Sequence, residues 1–201
     1  MLDIIEAAGW PIWPLILTSV FGVAIIIERI WSLRPDIIAP PKLLTEVITM
    51  VGKKDVRKES IISLQKHSLL GEIFASALSN SDSSSLIIKE AVEESGRSVS
   101  HKLEKHLSTL ATIATVAPLL GLFGTIIGMV ELFSSFTSSG HDVAVFARGI
   151  SVALYNTAGG IVVAVPAMIA FRYFRSKVDH LVNEMEQQAL HLVEIMRGER
   201  K

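Results

Sequence analysis

The chain has 201 residues, half of them hydrophobic, a net charge of −1 and no cysteine. Its mean hydropathy is +0.47, above what a soluble domain of this size carries. Without cysteine there are no disulfides, thiol nucleophiles or cysteine metal sites, and the near-neutral balance gives no electrostatic reason to bind nucleic acid.

Residues 1–9 are short and acidic, with Asp3 and Glu6. The stretch 10–27 then runs without a charge and spans ~27 Å as a helix. Trp10 and Trp13 stand at one end and Trp31 beyond the other, where tryptophan favours the membrane interfaces. A cleaved signal peptide needs a basic start and a shorter apolar core, so 10–27 is read as a retained anchor. Residues 28–106 are mixed in charge. Pro35, Pro40 and Pro41 break the chain there, and short helices are expected over 42–51 and 60–78. The charged run Lys53–Lys58 makes a turn or helix start, and His67-Ser68 and Gly71 are expected interruptions. From Ser85 a helix is expected to run on into a second span, 107–133, with Gly96 the only weak breaker before Pro118. A loop at 134–147 leads to a third span, 148–174. Its continuation over 175–201 places Val178, Leu181, Val182, Met185, Leu192 and Ile195 on an amphipathic extension. That apolar face needs cover, most simply from the 86–106 helix. The fold class expected is therefore an all-α membrane protein. It has three transmembrane helices, the second and third long and extending into a cytoplasmic helical bundle.

Orientation follows from the basic residues. No Lys or Arg precedes Arg29, many lie between Arg29 and Lys105, and none lies in Glu131–Ala147. Arg172, Arg175 and Lys177 follow the third span. The positive-inside rule then puts the N-terminus and the 134–147 loop outside, and 28–106 with the C-terminus inside.

Two stripes of small residues organise the spans. In the second, Ala114, Ala117, Gly121, Thr125 and Gly128 share one helix face. In the third, Gly149, Ala153, Thr157, Gly160, Ala164 and Ala167 do the same. A short connection makes the two helices antiparallel and sets Thr125 and Thr157 at matched depth, ~12–14 Å from the loop. Small stripes serve close helix packing, with each threonine bonded to its own backbone, or they line a pore with hydroxyls. Gly124 and Gly128 form a G-x-x-x-G pair suited to close contact. Pro118 and Pro166 lie inside the spans and are expected to kink them. Asn156, the most polar side chain of the third span, is expected to make a helix–helix hydrogen bond.

No catalytic constellation is present. His67, His101, His106, His141, His180 and His191 show no metal-ligand spacing, and His101 and His106, five apart, do not share a helix face. No cofactor or metal is expected. Between Leu107 and Val130, and between Gly149 and Phe171, there is no Asp, Glu, Lys, Arg or His. Such groups usually mark ion paths in membranes.

The run Pro118-Leu-Leu-Gly-Leu-Phe-Gly-Thr-Ile-Ile-Gly-Met129 resembles the second transmembrane helix of the MotA/TolQ/ExbB proton channel family. Gly149-Ile-Ser-Val-Ala-Leu-Tyr-Asn-Thr-Ala-Gly-Gly160, followed by Val165-Pro-Ala167, resembles its third. Three spans and the tail Arg172-Tyr-Phe-Arg175 look most like the short ExbB branch. The resemblance implies a homo-oligomer, a pentamer, around a pore holding ExbD-like single-span helices, in the bacterial inner membrane. It implies use of the proton motive force to energise a TonB-type protein for outer-membrane uptake of iron chelates or vitamin B12. It also implies that Thr125 and Thr157 face the pore beside a partner aspartate. A TolQ-like subunit for envelope integrity and division, and a passive membrane scaffold, are the alternatives. Where the family's third helix often has a glutamate, this chain has Val152.

Overall fold

The structure is a computed structural model that describes residue 5 and residues 7–53, 57–136 and 143–198. Asp3, Glu6, His141, part of the charged run at 54–56 and the centre of the 134–147 loop lie outside these. The described helices are α1 (Ile12–Ser32), α2 (Pro35–Ile38), α3 (Leu43–Gly52), α4 (Lys58–His67), α5 (Leu69–Ser79), α6 (Ser85–Glu104), α7 (Leu107–Phe136) and α8 (Val143–Met196). No strand occurs among the described residues. The fold class is the expected one, an all-α membrane protein with three helices long and apolar enough to cross a bilayer.

The chain divides into two compact units. One is Met1–Glu28 with His106–Tyr173; the other is Arg29–Lys105 with Phe174–Lys201.

In the first unit the apolar stretches of α1, α7 and α8 lie side by side. Only 17% of the most apolar window of α1 is buried, and 33% of those of α7 and α8. Surfaces that apolar and that open need a nonpolar solvent, which is the bilayer. The chain enters α1 through a turn at Gly9, whose φ of +70° suits a residue without Cβ. Ala8, Ile12 and Leu15 are buried there against Leu120 of α7 and Val163 of α8. Trp10 meets Phe123 edge to face at 6.1 Å between centroids. Further along, a Cβ on Gly22 would touch Ile113 at 3.5 Å. These two contacts make α1 antiparallel to α7. Both α7 and α8 continue unbroken through Pro118 and Pro166.

The second unit is a water-soluble type of core. α6 buries Ile88, Val92, Val99 and Leu103 at helical spacing. α8 buries Phe174, Val178, Leu181, Met185, Ala189 and Leu192 in the same way. The two stripes cover each other: a Cβ on Gly96 would lie 3.2 Å from the Glu186 carboxylate, and Arg175 pairs with Glu104 at 3.1 Å. The apolar extension foreseen after the third span thus finds its cover within the chain. Leu70, Ile73, Phe74 and Leu78 of α5 add to this core, and Lys102 of α6 holds Glu72 of α5 at 2.6 Å.

Local chemistry explains most of the helix ends. Arg34 is extended because Pro35 follows, and Pro35 then opens the single turn α2, where only a break was expected. Ser68 ends α4 and caps α5, its hydroxyl accepting from the Gly71 amide at 3.0 Å. Gly71 does not interrupt α5 as expected. It sits in the first turn, where a Cβ would come within 2.2 Å of the Leu64 carbonyl. Ser84 caps α6 through the Ile87 amide. Gly96, too, lies in an unbroken helix.

One expectation fails. The helix starting near Ser85 does not run on into the second span. Lys105 leaves the helical region at φ −48° and ψ 136° and His106 has φ +66°, so α6 stops at Glu104 and α7 starts at Leu107. Histidine enters the left-handed region more readily than most side chains, but no glycine or proline flags the break. What makes it possible is Arg29. Its side chain is 3% exposed and its guanidinium donates to the Leu103 carbonyl at 2.9 Å. A carbonyl left open at a helix end thereby gains a charged donor.

Replacing Arg29 by Met should cost about 2 kcal/mol, the worth of a hydrogen bond to a charged group. Amide exchange in the last turn of α6 should then rise by roughly thirtyfold. Unchanged protection there would show that the break does not depend on Arg29.

Candidate functional site

The site is built where α7 and α8 meet. A Cβ on Gly121 would lie 2.8 Å from the Asn156 carbonyl and 3.3 Å from the Thr157 Cα. One on Gly128 would lie 2.8 Å from the Gly149 carbonyl and 3.0 Å from the Ala153 nitrogen. From the other side, a Cβ on Gly160 would lie 2.8 Å from the Ala117 carbonyl and 3.3 Å from the Pro118 Cα. One on Gly149 would lie 2.8 Å from the Leu132 Cβ and 3.0 Å from the Gly128 carbonyl. At Gly121, Gly128 and Gly160 these are backbone-to-backbone approaches that no side chain could occupy. In each, a glycine Cα–H points at a carbonyl oxygen across the seam, a weak contact that recurs at close helix crossings. Ala114, Ala117, Ala153, Ala164 and Ala167 are buried and carry the seam on. The small residues of both stripes are therefore spent on holding two helices of one chain together.

The threonines stand at the edge of this seam. Thr125 and Thr157 are half-buried. Thr125 donates its hydroxyl to the Leu122 carbonyl at 2.6 Å, which leaves its oxygen lone pairs as acceptors. The matched depth expected of the two threonines is not met: Thr157 lies level with Gly121, so Thr125 is one turn, ~6 Å, nearer the connecting loop. The two hydroxyls share a region of the unit without touching.

Asn156 is the fixed point of the unit. It is fully buried, and its Nδ2 donates to the Ala8 carbonyl and to the Val152 carbonyl, both at 2.8 Å. It ties the turn ahead of α1 to α8, where a bond between spans was expected. Two carbonyl acceptors fix which end of the amide is nitrogen. Its Oδ1 is buried without a hydrogen-bond partner among the described residues. Gly124 makes the room: a Cβ there would lie 2.3 Å from the Asn156 Cβ and 2.9 Å from Oδ1. In the sequence Gly124 and Asn156 stand out separately. Nothing in their spacing along the chain says that one is the socket of the other. Val152, at the position where the family often has glutamate, is 3% exposed, and a Cβ on Gly9 would lie 3.9 Å from its Cγ1. It faces the N-terminal turn.

Gly124→Ala should therefore destabilise the first unit by roughly 1–3 kcal/mol, as forcing atoms into a filled core does. Gly52→Ala is the control. No atom lies within 4 Å of a Cβ there, and the change should be neutral or mildly stabilising. Equal melting shifts for the two variants in detergent would contradict the socket.

Comparison with known proteins bears on the same residues. No curated protein sequence matches the chain. Among solved structures, that of C. jejuni MotAB aligns over 98% of this chain and 78% of its own, with 18% identity and a TM-score of 0.47. The family model described as the MotA/TolQ/ExbB proton channel family matches residues 65–187. That match covers more than half of the chain and takes in all of α7 and the whole α7–α8 seam. The chain belongs to the MotA/TolQ/ExbB proton channel family.

Proposed function

We propose that this protein is an ExbB-like motor subunit of the bacterial inner membrane. It forms a homopentameric ring around ExbD-like single-span helices and uses the proton motive force to drive a TonB-type protein. The work opens outer-membrane receptors for iron chelates or vitamin B12. The basic residues of 29–105 and of the segment after Arg172 support an orientation with those parts in the cytoplasm and the N-terminus in the periplasm.

One observation carries the reading. The helices of the seam hold hydroxyls but no side chain that titrates near neutral pH, from Leu107 to Val130 and from Gly149 to Phe171. A hydroxyl passes a hydrogen bond along without storing charge. A proton path through this family member therefore needs a carboxylate from another chain, and a partner helix with an aspartate in the ring supplies it. Thr125 and Thr157 are the polar surface that lowers the cost of ionising that aspartate in a nonpolar pore. One charge crossing 100 mV releases ~2.3 kcal/mol, so a few protons per stroke suffice for mechanical work.

The ring without its partner, in liposomes under a pH gradient, should pass protons no faster than empty liposomes. In the complex, Thr157→Val should keep assembly while cutting energised uptake roughly tenfold or more, the factor that 1.4 kcal/mol on a rate-limiting step produces. Substantial flux through the ring alone defeats the partner-carboxylate reading. Full uptake by the Thr125→Val, Thr157→Val double variant leaves only a passive scaffold.

A further inference from the structure

The outward face of α7 changes character along its length. From Val116 to Val130 every exposed position is apolar: Val116, Pro118, Leu119, Leu122, Phe123, Ile126, Met129 and Val130. From Leu107 to Thr115 every exposed position is a hydroxyl: Ser108, Thr109, Thr112 and Thr115. The simplest explanation would be that α7 has already left the hydrocarbon there. The neighbouring helices exclude it. α1 runs antiparallel to α7, with Trp10 against Phe123 and Gly22 level with Ile113. At the heights of Ser108–Thr115 it still exposes Val20, Phe21, Val23 and Ile27, each more than half. Along the seam, Gly160 lies level with Ala117, so the same heights on α8 carry Val165 and Ile169, also widely exposed. Two helices are dressed for lipid at a depth where the third is dressed for water.

We propose that Ser108, Thr109, Thr112 and Thr115 line a water-filled mouth of the channel and form a track for the hydrated proton. This rests on the ring reading above and extends it to the end of α7 nearest Lys105. The hydrogen bonding fits the ligand. Thr112 donates to the Ser108 carbonyl at 2.9 Å, and Thr115 to the carbonyls of Ala111 and Thr112 at 3.2 and 2.9 Å. With their protons turned inward, both hydroxyls present oxygen lone pairs outward. A row of acceptors orders water with its hydrogens toward the wall, which favours a cationic water chain over an anionic one. The track needs no titratable group of its own.

The cysteine-free chain makes the test direct. Thr112→Cys, Thr115→Cys, Val23→Cys and Ile169→Cys are made singly in the full protein with its partner, in membranes. Each is treated with a small cationic, membrane-impermeant thiosulfonate. Thiols react as thiolates and so need water, and the two α7 positions should label at least about tenfold faster than the other two. Labelling at Thr112 and Thr115 no faster than at Val23 and Ile169 overturns the proposal. In parallel, Thr112→Val with Thr115→Val should lower proton flux several-fold, and serine at both positions should restore it. Flux unchanged by the valines also overturns the track. Absence of flux in the unmodified complex would instead overturn the motor reading, which separates the two failures.

Discussion

Everything in the first unit depends on the α7 and α8 backbones touching. At Gly121, Gly128 and Gly160 the separation is set by main-chain atoms, and at Gly149 by the Gly128 carbonyl and the Leu132 side chain together. In a bilayer, burying apolar surface between helices gains little, because lipid tails are as apolar as leucine. Close dispersion contact and aligned Cα–H to carbonyl approaches must supply the attraction, and both need glycine. A seam this tight has two effects. It makes α7 and α8 behave as one stiff hairpin, and it admits a larger side chain only where a glycine faces it, as Gly124 faces Asn156 and Gly149 faces Leu132. Thr125 and Thr157 lie at its margins. Their position follows from what the glycines exclude.

The two units divide the chain's physical chemistry between them. The first has apolar surfaces, hydroxyls that satisfy themselves on their own helices, and the amide of Asn156. The second contains the ion pairs Lys102–Glu72 and Arg175–Glu104 and a core of the ordinary aliphatic kind. Ion pairs of this exposed sort are worth ~0–1 kcal/mol each, so the second unit is held mainly by its α6 and α8 stripes. Arg29 is a buried charge among the described residues, and its guanidinium serves a helix end. These ion pairs and the buried guanidinium thus belong to the second unit and serve its architecture.

Much of this was legible in the sequence, for reasons that differ by element. The three spans show as uncharged runs, and the α6 and α8 stripes show as helical spacing of apolar residues, because burial imposes a period on the chain. The glycine and alanine stripes were visible in the same way, though spacing alone left packing and lining open. The break at Lys105–His106 was not legible. It rests on a histidine in a left-handed conformation and on an arginine distant in the chain, and neither leaves a local mark. The Gly124 socket and the Ala8 tether escaped for a related cause: they are agreements between residues far apart in sequence. The hydroxyl face at Ser108–Thr115 is a further case. Its residues look ordinary near the start of a helix, and they acquire meaning only beside what α1 and α8 expose at the same height.

The tether between Asn156 and Ala8 joins residues 148 positions apart. It sets an order of events during biogenesis. The chain emerges from its N-terminus, so the turn ahead of α1 reaches the membrane long before α8 exists. Until the third span inserts, the Ala8 carbonyl must stay in contact with water or headgroups. Insertion of α8 brings an amide that takes this carbonyl, while the Gly124 notch admits the amide. Docking of the turn at Ala8 therefore waits for the third span.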